Sequence, residues 1–327
     1  MSFQAEEFFS GVSKRYACGC EVRAESPRSL TAAFMRSSDF KSKSERTLFN
    51  DLLKTVESTA EGRRTLREFS KIGCSVHFEE GTNTGGFYVP EKKALVINPS
   101  SGFKDFSSVF VHEARHAIQF HIFNDDSDLY RFSDGEKLKR AMEADATAHE
   151  CAFIYQARKT NPEIYEEHSY LPMLHAYADT LERTGNERKA MQASFQSWYS
   201  YDYYRDYYDK STLDRVEALV NYGISNGDAL LFSKTMPSDI TDRVCLFEGR
   251  SYADKKFLMS REAYSIPEDN QKKIGKLTAT YAHQVQGASY DNSVYDMYPR
   301  RLNGEILDKK PRPRFSDLVS SKLSKSR

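Results

Sequence analysis

No stretch of this chain approaches the ~20 consecutive apolar residues that a membrane span requires, so no membrane-embedded role is expected. A dominant charge is missing too. The 47 lysines and arginines are balanced by 47 aspartates and glutamates, so no overall field points to nucleic acid, and none is expected as a partner. The five cysteines (Cys18, Cys20, Cys74, Cys151 and Cys245) are odd in number and scattered, which excludes a disulfide framework. Cys18-Gly19-Cys20 is the one close pair, and with no second pair nearby the thiols read as free in a reducing compartment. The first residues, Met1-Ser2-Phe3-Gln4-Ala5-Glu6-Glu7, are acidic and lack the basic-then-apolar order of a secretory signal. A cytoplasmic location is expected, with export as an effector by a signal-peptide-independent route left open. No internal repeat and no recognisable DNA-binding domain is present. What is there is enough apolar material, 39% hydrophobic and 13% aromatic over 327 residues, for a packed core in one large or two ordinary domains.

Hydrophobic periodicity organises the chain. Leu48, Phe49, Leu52, Leu53 and Val56 recur at helical spacing, and a second helix is predicted over residues 61–71, stopped by Gly73. The pattern then changes to short alternating runs: 74–78, 87–89 and 94–98, separated by the turn-rich 81–86 and Pro90-Glu91-Lys92-Lys93. These predict a small, mainly antiparallel sheet leading into a helix from about residue 104–107 to 124. A polar connection (125–135) leads to a second long helix, 136–159, ended by Asn161-Pro162. Further helices are expected at about 163–184, 187–209 and 212–224, and less clearly within 250–289. The fold class is α+β: a small sheet packed on one motif-bearing helix, followed by a largely helical C-terminal part. The expected divisions are a partly flexible segment 1–44, a catalytic-type domain 45–235, a helical extension 236–298 and a flexible basic tail 299–327.

The chemistry resides in His112-Glu113-Ala114-Arg115-His116, an H-E-x-x-H motif. On a helix the two histidines differ by about 40° around the axis, so both imidazoles can bind one metal ion, with Glu113 on the neighbouring face able to reach a water on that ion. Such a centre needs a third protein ligand and an open position. A histidine six residues after the second is excluded, because Ile122 stands there and Gln119 occupies the intervening glycine position. His121 lies about 140° round the helix from His116 and points away. Glu143, 143 − 116 = 27 residues after His116, is the candidate, in a stretch whose Ala144, Ala146 and Ala148 allow close helix approach. His149 is the alternative ligand, and an ordinary solvated helix acid is the bland reading of Glu143. Asp145 could accept a hydrogen bond from the second nitrogen of a ligating histidine.

His112-Glu113-x-x-His116 followed by Glu143-Ala144-Asp145-x-x-Ala148 resembles the glutamate-zincin (gluzincin) metallopeptidases, above all the ImmA/IrrE-type peptidases, over roughly residues 74–156. Outside that stretch the chain is similar to uncharacterised bacterial metallopeptidase-like proteins. It departs from the commonest form in carrying Arg115 where glycine precedes the second histidine, and Thr147 where phenylalanine is frequent. The resemblance implies a zincin-like fold and a Zn2+ held by His112, His116 and Glu143. It also implies Glu113 as general base on the zinc-bound water, hydrolysing a peptide bond in a protein or peptide substrate. It further implies that the strand at Leu95, Val96 and Ile97, if it edges the sheet, binds substrate backbone by strand addition. The oxyanion-stabilising donor stays open among His168, His175, Tyr170, Tyr177 and the run Tyr199 to Tyr208. That Tyr-rich run reads either as a stacking surface or as a helix packing its rings. Two alternatives to a general peptidase remain: a non-catalytic zincin-like binding module, and a dedicated regulatory or host-directed protease. The oligomeric state has no signature in the sequence.

Overall fold

The computed structural model describes residues 40–82, 84–100, 106–123, 127–308 and 312–319. Most of the expected flexible segment 1–44, including Cys18 and Cys20, lies outside them, as do residues 320–327. The described chain is α+β and mostly helical, and it divides into two compact units: residues 1–122 with 146–182, and residues 123–145 with 183–327.

In the first unit, α1 (Lys43–Glu57) and α2 (Ala60–Ser70) are each opened by a hydroxyl cap. Ser42 accepts from the Glu45 amide and Thr59 from the Gly62 amide, satisfying donors that a helix start leaves orphaned. Their apolar faces bury Phe49, Leu52, Leu53 and Val56, and Leu66 and Phe69. Three strands follow: β1 (Ser75–Phe78), β2 (Gly86–Val89) and β3 (Ala94–Ile97), in the order β1-β3-β2. The β2–β3 pair is an antiparallel hairpin whose turn places Lys93 in the left-handed region (φ 47). β1 pairs parallel to β3 on its other side. The sheet is therefore mixed, not mainly antiparallel, with β3 at its centre. Enclosure on both sides explains why β3 reads as an unbroken apolar run, Ala94-Leu95-Val96-Ile97, with every residue buried. The motif helix α3 (Ser107–Phe123) buries Phe110, Val111, Ala114 and Ala117 completely, and Phe110 meets Phe69 edge-on at 5.6 Å.

Helix α4 (Phe132–Ala157) is one continuous element whose first half belongs to the second unit and whose second half belongs to the first. Helices α5 (Pro162–Glu167) and α6 (Pro172–Thr184) replace the single helix expected at 163–184, because Pro172 cannot donate to a continuing turn.

The second unit contains α7 (Glu187–Ser200) and α8 (Asp202–Asn226), which break at Tyr201, not near residue 210. Short α9 (Ile240–Val244), the two-stranded β4 (Leu246–Phe247) and β5 (Arg250–Ser251), and α10 (Lys255–Leu258) follow. Then come β6 (Ser265–Pro267), α11 (Glu268–Gln284), β7 (Tyr298–Arg300) and α12 (Phe315–Val319). Gly223 lets α8 and α11 approach closely, since a Cβ there would sit 2.7 Å from the Tyr281 ring. The segment expected to be a loose basic tail from residue 299 is folded at its start. β7 pairs parallel with β6, and Leu307 donates back to the Pro299 carbonyl. Its anchor is electrostatic: Arg300, 2% exposed, pairs with buried Asp209, which also accepts from Arg140 Nη2 at 2.8 Å. Arg140 in turn reaches Glu136 at 2.8 Å, and Thr212 donates to the other Glu136 oxygen.

Replacing Asp209 by alanine removes the carboxylate that two buried guanidinium groups share. A loss of about 3–5 kcal/mol is expected, the usual consequence of breaking a buried ion pair from one side. Chemical denaturation of the variant against wild type checks it.

Candidate metal centre

Helix α3 presents the H-E-x-x-H face at a depth between core and surface: His116 is buried, while His112 and Glu113 are half-buried. The His112 and His116 rings stand edge to face, centroids 4.9 Å apart. Each Nδ1 faces an oxygen that can only accept: Glu150 Oε2 at 3.0 Å from His112, and Gln119 Oε1 at 2.8 Å from His116. With each Nδ1 engaged in this way, the two Nε2 atoms face each other 3.2 Å apart. Donor atoms of His112, His116 and Glu143 lie within 4.8 Å of one another, close enough to hold one metal ion. Two imidazole nitrogens and one carboxylate oxygen are a donor set of catalytic zinc centres.

The other residues singled out from sequence are placed as follows. His121 is exposed, and His149 is buried with its Nδ1 2.6 Å from Glu61 Oε1. Asp145 is buried and accepts from the Tyr252 hydroxyl at 2.6 Å; the oxygens facing the imidazole Nδ1 atoms are those of Glu150 and Gln119. Leu95, Val96 and Ile97 line no open edge, because β3 is the central strand, hydrogen-bonded on both sides. The strand beside the motif is β2. A Cβ at Gly86 would lie 3.4 Å from Glu113 Cγ and only 2.8 Å from Val109 Cγ1 and the Val96 carbonyl. Among the proposed oxyanion donors, Tyr177 is fully buried against Tyr155, and His168 is buried and bonded to Ser108 and the Ile164 carbonyl. Tyr170 is exposed, and His175 binds the Ser169 carbonyl. The Tyr208 phenol donates to Glu143 Oε2 at 2.6 Å.

Sequence reasoning missed Glu150, Gln119 and Tyr208 in these roles. Glu150 had a signal: it follows Glu143 by seven residues, two turns along the same face of α4. Gln119 had one too, three residues after His116. Tyr208 had none, since only tertiary packing selects it from its neighbours.

Arg115, the departure from the usual motif, is 3% exposed and reaches Glu68 at 3.4 Å. Fully buried Glu61 accepts from His149 and pairs with Arg64. Burial pushes the Glu61 carboxyl up, but His149, Arg64 and Arg115 together outweigh it and hold the group below its ordinary 4.5.

Residues 28–253 match the family described as "Putative metallopeptidase family (DUF6782)". The chain belongs to this family. Membership supports a hydrolase that uses a metal ion to cleave protein or peptide substrates. No curated protein and no solved structure matches the chain.

A depressed carboxyl pKa contributes stability that is present above the unfolded value and lost as pH falls through the folded one. Wild type is therefore expected to lose stability below about pH 4.5, and Glu61→Gln to flatten that acid limb. At neutral pH the variant is expected to be about 1.5–3 kcal/mol less stable, the worth of hydrogen bonds to a charged group. Denaturation curves across the acid range measure both.

Proposed function

We propose that the chain is a zinc-dependent peptidase of the gluzincin type, with His112, His116 and Glu143 as metal ligands and Glu113 as general base. The observation that carries this reading is the pair of imidazole Nε2 atoms 3.2 Å apart with a Glu143 donor atom within 4.8 Å. A zinc ion bound there supplies Lewis acidity, which polarises the scissile carbonyl and acidifies a water molecule. Every other step falls to the chain's own groups. Glu113, at the second position of the motif, takes the proton from the attacking water and passes it to the departing amine nitrogen. Glu150 and Gln119 engage the Nδ1 atoms of His112 and His116 and orient both rings with Nε2 toward the metal position. Of the two edge strands in the sheet, β2 runs past Glu113 with a glycine at the point of approach. It is the strand to which an extended substrate adds, aligning its backbone by main-chain hydrogen bonds.

Metal analysis of the purified protein tests the centre: about one zinc per chain is expected from the three-ligand site, lost in the His112→Ala/His116→Ala variant. Zinc-free wild type would overturn the reading. Glu113→Gln is expected to retain zinc and lose hydrolysis of a protein substrate such as casein; continued cleavage would remove Glu113 from the role of base. Glu150→Ala is expected to weaken zinc binding about 10–100-fold, the usual effect of losing a partner behind a ligating histidine, as read by chelator competition.

A further inference from the structure

The half-buried Glu143 carboxylate has a side-chain partner from α8. The Tyr208 phenol donates to its Oε2 at 2.6 Å, the short distance typical of a hydroxyl bound to an ionised carboxylate. Tyr208 is itself held in place on the 25-residue helix α8. Its ring packs on Trp198 at 5.3 Å and stands edge-on to Tyr204 and Tyr207 at 6.4 and 5.3 Å. Trp198 is 2% exposed. The next residue, Asp209, is tied to Arg140 and Arg300, which fixes the turn of α8 from which the phenol projects.

A carboxylate ligand can meet a cation through one oxygen or both. Binding through both would add a fourth protein donor to a His-His-Glu centre and crowd the position that catalysis needs open. A phenol proton on Oε2 draws charge from that oxygen and opposes its use as a second metal donor. We infer that Tyr208 is a positioning residue, holding Glu143 through Oε2 so that the carboxylate meets a divalent cation through Oε1 alone. The inference rests on the metal-centre reading proposed above. It also gives the Tyr-rich run a division of labour: one phenol engages the carboxylate while the surrounding rings fix its direction.

The test is zinc affinity, by chelator competition on the full chain, for wild type, Tyr208→Phe, Glu143→Gln and the double variant. Tyr208→Phe is expected to bind zinc about 10–100-fold more weakly and to cause no further loss in the Glu143→Gln background. Its cobalt-substituted form is expected to absorb visible light more weakly than the wild-type form, as a carboxylate closing with both oxygens raises the coordination number. Wild-type affinity in Tyr208→Phe, or an equal loss with and without Glu143, would overturn the inference and leave the metal centre standing. Wild type that binds no zinc would overturn both. Phenylalanine preserves the ring packing on Trp198, and the melting temperature of the metal-free variant verifies its fold. Should that variant not fold, the tyrosine ultraviolet difference spectrum of metal-free Glu143→Gln against wild type decides. A tyrosine signal supports the phenol–carboxylate bond, and a flat spectrum overturns it.

Discussion

The Nε2 atoms of His112 and His116 stand 3.2 Å apart, and the surrounding groups are arranged around that pair. The rings are kept there from behind, by Glu150 on one Nδ1 and Gln119 on the other. Both partners lie within hydrogen-bonding distance of the rings and so fix their orientation. The architecture serves this constraint. Gln119 comes from the motif helix itself, one turn on. Glu150 comes from α4, the helix that also carries Glu143. The row of buried alanines on α4, Ala144, Ala146, Ala148 and Ala152, keeps bulky side chains out of its packing, as close approach of helices requires.

Holding charged groups at such depth carries a cost, and the chain meets it by pairing. In the first unit, Glu61, Arg64, His149, Arg115 and Glu68 form an ionic and hydrogen-bonded group directly behind the motif helix. Arg115 explains itself in this setting. A glycine at that position would remove a buried cation that helps to keep Glu61 ionised. The departure from the usual motif is thus a local solution to α2 packing a carboxylate against α3 and α4, and it leaves His112, Glu113 and His116 where they are needed. In the second unit, Glu136, Arg140, Asp209 and Arg300 play the corresponding part for α8 and β7.

Much of the motif's surroundings could be inferred from residue spacing alone, because helical periodicity is local. The extents of α1, α3 and α4 were close to those expected. Two kinds of information were not local. Strand order was one: nothing in Ala94-Leu95-Val96-Ile97 distinguishes an edge strand from a central one except that all four residues are apolar. That was a signal for enclosure, and it argued against the substrate role given to them. The choice among equivalent side chains was the other. Tyr199 to Tyr208 offer a phenol at most positions, and only the packing of α8 selects Tyr208 for Glu143. Arg300 likewise looked like one basic residue in a basic tail until Asp209 was found opposite it.

The exclusion of β3 sharpens the reading of the groove. A backbone can join a sheet only where hydrogen-bonding groups remain at an edge, and beside Glu113 that edge belongs to β2. The approach of β2 to the motif helix is set by a missing side chain. At Gly86 even one methyl group would press on Val109 and on the Val96 carbonyl of the neighbouring strand. The carbonyl is part of the β2–β3 ladder and cannot yield without disturbing the pairing, so any larger residue would drive the strand away from Glu113. Glycine here costs backbone entropy, a penalty of about 0.5–1 kcal/mol in a strand. That cost is repaid only if the closeness of strand to base is itself useful, which is what a peptidase needs from the edge that positions the scissile bond.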